Sequence, residues 1–175
     1  MNAPVLVLLK GHPATGKSTL ARALARHLGW PLIDKDDVKD FTRGLPGGNG
    51  MAYDVAWRIA DTQLGLGLSC IVDTPLSYPQ GYDAGCRLAE KHGAHVLVVE
   101  THLDDDEWRR RLDARPPAES THKINNWADM QALLAQYDGC FNFPIDPAHH
   151  LIVDTTQPVP ALLAQVCDCL PKPSP

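Results

Sequence analysis

Gly11-His12-Pro13-Ala14-Thr15-Gly16-Lys17-Ser18 fits G-x-x-x-x-G-K-[ST], the spacing of a phosphate-binding loop. Its flanks have the order such a loop needs. Val5-Leu6-Val7-Leu8-Leu9 is an apolar run of buried-strand length, and residues 17–28 carry apolar side chains at helical spacing. A strand therefore runs into a glycine loop that opens a helix. Gly11 and Gly16 free the backbone to curl with φ > 0, turning successive N–H groups inward toward a polyphosphate. The helix N-terminus adds partial positive charge to the same place. Lys17 has the reach for β- and γ-phosphates, and the Ser18 hydroxyl suits the Mg²⁺ that bridges them. The candidate nucleotide contacts are Gly11, His12, Pro13, Ala14, Thr15, Gly16, Lys17, Ser18 and Thr19.

The chain of 175 residues is read as one domain over 1–170, large enough for a real core, with a frayed proline-rich tail at 171–175. A net charge of −5 gives no global field for nucleic acid, although Arg109, Arg110, Arg111 and Arg115 form a local basic cluster. No apolar run approaches the roughly 20 residues of a membrane helix, and the N-terminal run ends in the loop, unlike a signal segment. The five cysteines are odd in number and without C-x-x-C spacing, which predicts reduced thiols and a cytoplasmic protein.

Strand-like runs recur at 5–9, 31–33, 70–72, 95–100 and 151–153. Helical patterns lie between them at 17–28, 52–66, 81–92, 104–114, 127–137 and 160–170, with a short helix at 38–41 for which Asp37 is a candidate cap. This alternation predicts an α/β fold, a parallel sheet covered on both faces. Ligands of such sheets sit at the carboxyl ends of the strands, so the polar residues there become candidates. The glycine-rich stretch 43–50 and the proline-broken stretch 115–123 read as irregular connections or closing segments.

Asp34-Lys35-Asp36-Asp37 follows the second strand. Transfer of a phosphoryl group to an alcohol needs a group that orients the hydroxyl or accepts its proton, and Asp36 is the candidate, with Asp34 supporting the metal through water. Asp73 ends the third strand as a metal-side carboxylate, and it competes with Asp36 for the role of base. Arg111 and Arg115 stand four apart on one helical face, where two guanidinium groups suit a transferring phosphate. Lys39 and Arg43 are candidate acceptor contacts. Thr155, in the loop after the fifth strand, is a candidate for the wall of the adenine pocket.

Taken together, these pieces resemble the small P-loop kinases of the adenylate-kinase-like group over nearly the whole chain. Residues 11–21 look like the opening of phage polynucleotide 5′-kinase, zeta toxins, chloramphenicol phosphotransferase-like proteins and gluconate kinases. Lys35-Asp36-Asp37-Val38-Lys39 is similar to the Arg-Asp-Asp-x-x-Arg of the polynucleotide kinase, and Asp34-x-Asp36 to the Asp-x-Asp of shikimate kinase. Arg111-Leu112-x-x-Arg115 looks like the opening of the lid. The resemblance implies a P-loop NTPase sandwich with a five-stranded sheet in the order 2-3-1-4-5, a lid near 115–125, and ATP with Mg²⁺ as cofactors. It implies Asp36 as base. Lys39 departs from the pattern, since a lysine cannot grip an anion with two parallel bonds. Three readings of function stay open: a kinase for the hydroxyl of a small molecule, a polynucleotide 5′-hydroxyl kinase, and a nucleotide-binding ATPase or switch without acceptor. No sequence feature fixes the oligomeric state.

Overall fold

β1 (Val5–Lys10) is buried along its whole length, as the central strand of a covered parallel sheet must be. The computed structural model describes residues 3–115 and 124–172. β1 pairs in parallel with β3 (Cys70–Asp73) on one side and β4 (His95–His102) on the other, while β2 (Leu32–Asp34) and β5 (His150–Asp154) form the edges. The resulting order is 2-3-1-4-5, as the resemblance implied.

Alternation along β1 divides the core. Val5, Val7 and Leu9 face α1 (Lys17–Leu28) and α7 (Val159–Cys169), through Leu20, Leu24, Leu162 and Val166. Leu6 and Leu8 face α3 (Gly48–Gly65), through Ala56, Ala60 and Leu64. α4 (Pro79–His92) covers the same side and comes close at Gly85, where an added Cβ would lie 2.6 Å from Leu8 Cδ1. α5 (Asp105–Asp113) and α6 (Trp127–Tyr137) pack a smaller cluster of Leu103, Trp108, Leu112 and Met130 beside the loop end of the sheet.

Three readings of the chain are corrected. α2 runs over Lys35–Thr42, starting directly after β2. Its cap is Asp34, whose carboxylate accepts from the Asp36 N–H at 2.9 Å; Asp37 lies inside the first turn and caps nothing. The stretch 43–50 is irregular only as far as Gly47, because α3 begins at Gly48. Gly48 lies against the Thr42 carbonyl where a Cβ would overlap it, and Thr42 Oγ1 donates to the Gly48 carbonyl at 2.8 Å, so tertiary contact overrides poor helix propensity there. The expected lid falls mostly on 116–123, outside the described residues.

Candidate active site

The carboxyl ends of β1, β2 and β3 open into a cavity of about 610 Å³. The loop from Gly11 to Ser18 forms its floor, with Gly11 at φ 155°, Ala14 at 65° and Gly16 at 86°. Glycine at position 11 is forced as well by space, since a Cβ there would overlap Thr101 Oγ1. Lys17 Nζ donates to Asp73 Oδ1 at 2.5 Å. Asp73 is 2% exposed, and its second oxygen, Oδ2, is buried with no hydrogen-bond partner among the described residues. A buried carboxylate oxygen without a donor is costly unless something binds it.

The other side of the cavity is built by α2 and α3. Lys35, 5% exposed, reaches Asp36 Oδ1 at 2.8 Å and lies 5.2 Å from the centre of the Tyr53 ring. Burial pushes the Asp36 carboxyl up, but the Lys35 hydrogen bond and the charges of Lys35, Lys39 and Lys17 outweigh it, and the group ends below its ordinary range. Asp36 is therefore an ionised carboxylate on the cavity wall. Lys39 lies beside it with its ammonium disfavoured, by burial first and then by the charges of Lys35 and Arg43. Asn49 and Tyr53 of α3 complete this wall, with Ser77, Tyr78 and Tyr137 opposite. Ser77 Oγ donates to Tyr137 Oη at 2.9 Å, which fixes the end of α6 over the β3–α4 turn.

Lys17, Ser18, Asp36, Lys39, Arg111 and Arg115 share the cavity, while Thr15 and Asp73 lie buried beneath it. Asp34 sits next to Asp73 in the β2–β3 register, outside the wall; burial and the Asp73 charge raise its pKa. Arg43 is not in the wall, because α2 turns its first half inward and leaves its C-terminal cap exposed. Thr155 is not in the wall either: it is buried behind the loop, where its hydroxyl donates to the Thr15 carbonyl at 2.7 Å. Lys35, Asn49 and Tyr53 were missed by sequence reasoning. The i, i+4 spacing of Asn49 and Tyr53 was the available signal for the latter two.

His12 is unusual for a loop residue. Its ring stacks on Phe141 at 3.7 Å and on Trp108 at 5.0 Å between centroids, and its Nδ1 is buried without a partner among the described residues. Burial, and then the Lys10 charge, lower its pKa to about 4. Between pH 6.5 and 4 the unfolded chain thus binds a proton that the folded chain refuses, so stability falls as pH falls through that window. His12→Phe, which keeps the stack and removes the titration, is expected to flatten that fall. Urea midpoints at pH 7.5 and 4.5 for both proteins check it, and equal slopes would count against it.

The profile of the AAA domain family matches residues 6–137. The chain belongs to the AAA domain family. An uncharacterized protein of Mycobacterium tuberculosis is 32% identical to this AAA domain over 149 residues, 76% of the chain. The chain spans 30% of the length of that relative. Shikimate kinase 2 of Dickeya chrysanthemi is 25% identical over 181 residues, covering 99% of both chains. Among solved structures, a provisionally assigned kinase of Chloroflexus aurantiacus superposes with a TM-score of 0.75 at 23% identity, covering 97% of the AAA domain and 100% of its own chain. A gluconokinase of Sinorhizobium meliloti does so at 0.67 and 16%, covering 97% and 93%. The chain thus shares its fold with solved structures named as kinases. No helix among the described residues is long and apolar enough to cross a membrane.

Proposed function

We propose that the chain transfers the γ-phosphate of ATP, with Mg²⁺, to a hydroxyl of a small molecule. The observation that carries this reading is the ionised Asp36 carboxylate, held by Lys35 in the same cavity that the phosphate loop floors. A switch or plain ATPase has no use for such a group facing a second half-cavity of tyrosines.

The roles follow from chemistry. The loop amides and Lys17 hold the phosphates, with Lys17 exchanging Asp73 for them. The Ser18 hydroxyl and the unpartnered Asp73 Oδ2 are hard oxygen donors of the kind Mg²⁺ takes, and Asp34 beside Asp73 is the outer carboxylate. The metal, when bound, neutralises phosphate charge. Asp36 orients the acceptor hydroxyl and takes its proton. Lys39 and the tyrosines contact the rest of the acceptor, while Arg115 supplies charge to the transferring group.

Incubation with γ-labelled ATP and Mg²⁺ tests this against a panel of shikimate, gluconate, neutral sugars, nucleosides and 5′-hydroxyl oligonucleotides, with Lys17→Ala as blank. The first two compounds enter because a relative and a fold neighbour are named for them. Label on a small alcohol is expected. Label only on the oligonucleotide would change the acceptor class. Release of free phosphate that no acceptor accelerates would overturn the transferase reading.

A further inference from the structure

A phosphate loop works by turning its amide N–H groups inward, and this turns its carbonyls outward into the protein, where each needs a donor. Three carbonyls of this loop find one on a side chain. Thr15 Oγ1 donates to the His12 carbonyl at 2.8 Å. Trp108 Nε1 donates to the Pro13 carbonyl at 2.7 Å. Thr155 Oγ1 donates to the Thr15 carbonyl at 2.7 Å. The last two donors come from outside the loop, from α5 and from the turn after β5, and they hook the carbonyls on either side of Ala14. That residue stands at φ 65°, which an L-amino acid keeps only where its surroundings over-determine it.

The proton on Thr155 is directed too. Arg111 Nη1 donates to Thr155 Oγ1 at 3.2 Å, and Nη2 donates to the Thr155 carbonyl at 2.9 Å. A guanidinium only donates, so the hydroxyl accepts from Arg111 and keeps its own hydrogen for Thr15. Trp108 and Arg111 are three apart on α5 and so share a face. The indole also stacks on His12 at an interplanar angle of 18°. One turn of α5 thus grips the loop at Pro13 directly and at Thr15 through Thr155.

We propose that Trp108 and Thr155 are positioning residues for the phosphate cradle: they hold the Pro13 and Thr15 carbonyls outward, so that the loop amides converge before a polyphosphate arrives, with Arg111 orienting the Thr155 hydroxyl. Neither Trp108 nor Thr155 lines the cavity, so neither acts by touching the nucleotide. The inference rests on the loop being the nucleotide site.

Equilibrium binding of Mg·ATP and of tripolyphosphate, which has no base, separates this role from plain packing. The proteins are the full chain, Thr155→Val, Thr155→Ser and Trp108→Phe, each with its melting temperature. Thr155→Val keeps the shape and loses the donor; Thr155→Ser restores it; Trp108→Phe keeps a stacking ring and loses the N–H. Thr155→Val and Trp108→Phe are each expected to weaken both ligands about 10-fold, the order of one buried hydrogen bond, with Thr155→Ser within about 3-fold of the parent. Lower melting temperatures with unchanged binding of both ligands would make the contacts packing alone and overturn the proposal. Loss toward ATP but not tripolyphosphate would overturn it in favour of a base-pocket role. If Trp108→Phe does not fold, the Thr155 pair decides. A parent chain that binds neither ligand would instead sink the nucleotide reading itself.

Discussion

Asp36→Asn is expected to lower kcat about 10²–10⁴-fold while leaving Mg·ATP affinity within a few-fold, the range of a positioned general base. The substitution keeps the shape on the cavity wall and the hydrogen bond that Lys35 donates at 2.8 Å, and it removes the charge and the proton acceptor. The pH profile gives a second, independent readout. Burial alone would carry the Asp36 pKa upward; Lys35, Lys39 and Lys17 reverse that and leave it lowered. A carboxylate with a lowered pKa stays charged as pH falls, so the rate is expected to hold flat through neutrality and drop only below the ordinary carboxylate range. Lys35→Met removes the largest of the opposing contributions and is expected to move that acid limb upward. Transfer by Asp36→Asn at the parent rate would return the role of base to Asp73. Asp73 has a different signature: with Oδ1 on Lys17 and Oδ2 unpartnered, Asp73→Asn should raise the Mg²⁺ concentration needed rather than move a pH limb.

The order of the elements was legible because periodicity and the loop motif report on the centre of the sheet, where burial on both faces leaves only apolar residues. β1 was read to within one residue, and α6 to the residue. What failed lay at the cavity wall formed by α2 and α3. The start of α3 at Gly48 depends on a contact with the Thr42 carbonyl that no local propensity announces. Lys35 reads as one charge in an acidic run until β2 ends at Asp34 and puts it on the first turn of a helix facing Tyr53. Thr155 was singled out for the right neighbourhood and given another task, because a loop that passes beside the phosphate loop can face the nucleotide or back the cradle, and side-chain direction decides which. The same ambiguity covered Arg111 of α5 and Arg115 just beyond its end, which belong to one motif yet differ, among the described residues, in how many of their donors are committed.

Arg115→Ala is expected to lower kcat about 10³–10⁵-fold with a small effect on Mg·ATP affinity, the range for an arginine that meets charge developing on a transferring phosphoryl group. Arg111 is spent elsewhere. Its Nε donates to Glu107 Oε1 at 2.6 Å, and both terminal nitrogens reach Thr155. Arg115 lines the same cavity as Lys17, and among the described residues its guanidinium makes one hydrogen bond, from Nη1 to the Ile124 carbonyl at 3.2 Å. Among the described residues its other donors are uncommitted, and they are expected to take a phosphate. Lysine has no planar fork, so Arg115→Lys should recover only part of the rate. Arg111→Ala should behave in the opposite way, weakening Mg·ATP through the loosened Thr155 hydroxyl more than it slows the bound complex. Single-turnover rates at saturating ATP, set beside binding constants for the same variants, separate the two. A silent Arg115→Ala beside a large kcat loss in Arg111→Ala would exchange their roles. It would also mean that the Arg111–Thr155 contact opens when the nucleotide binds, since a guanidinium whose three nitrogens are each already bonded within the protein is poorly placed to follow a moving phosphate.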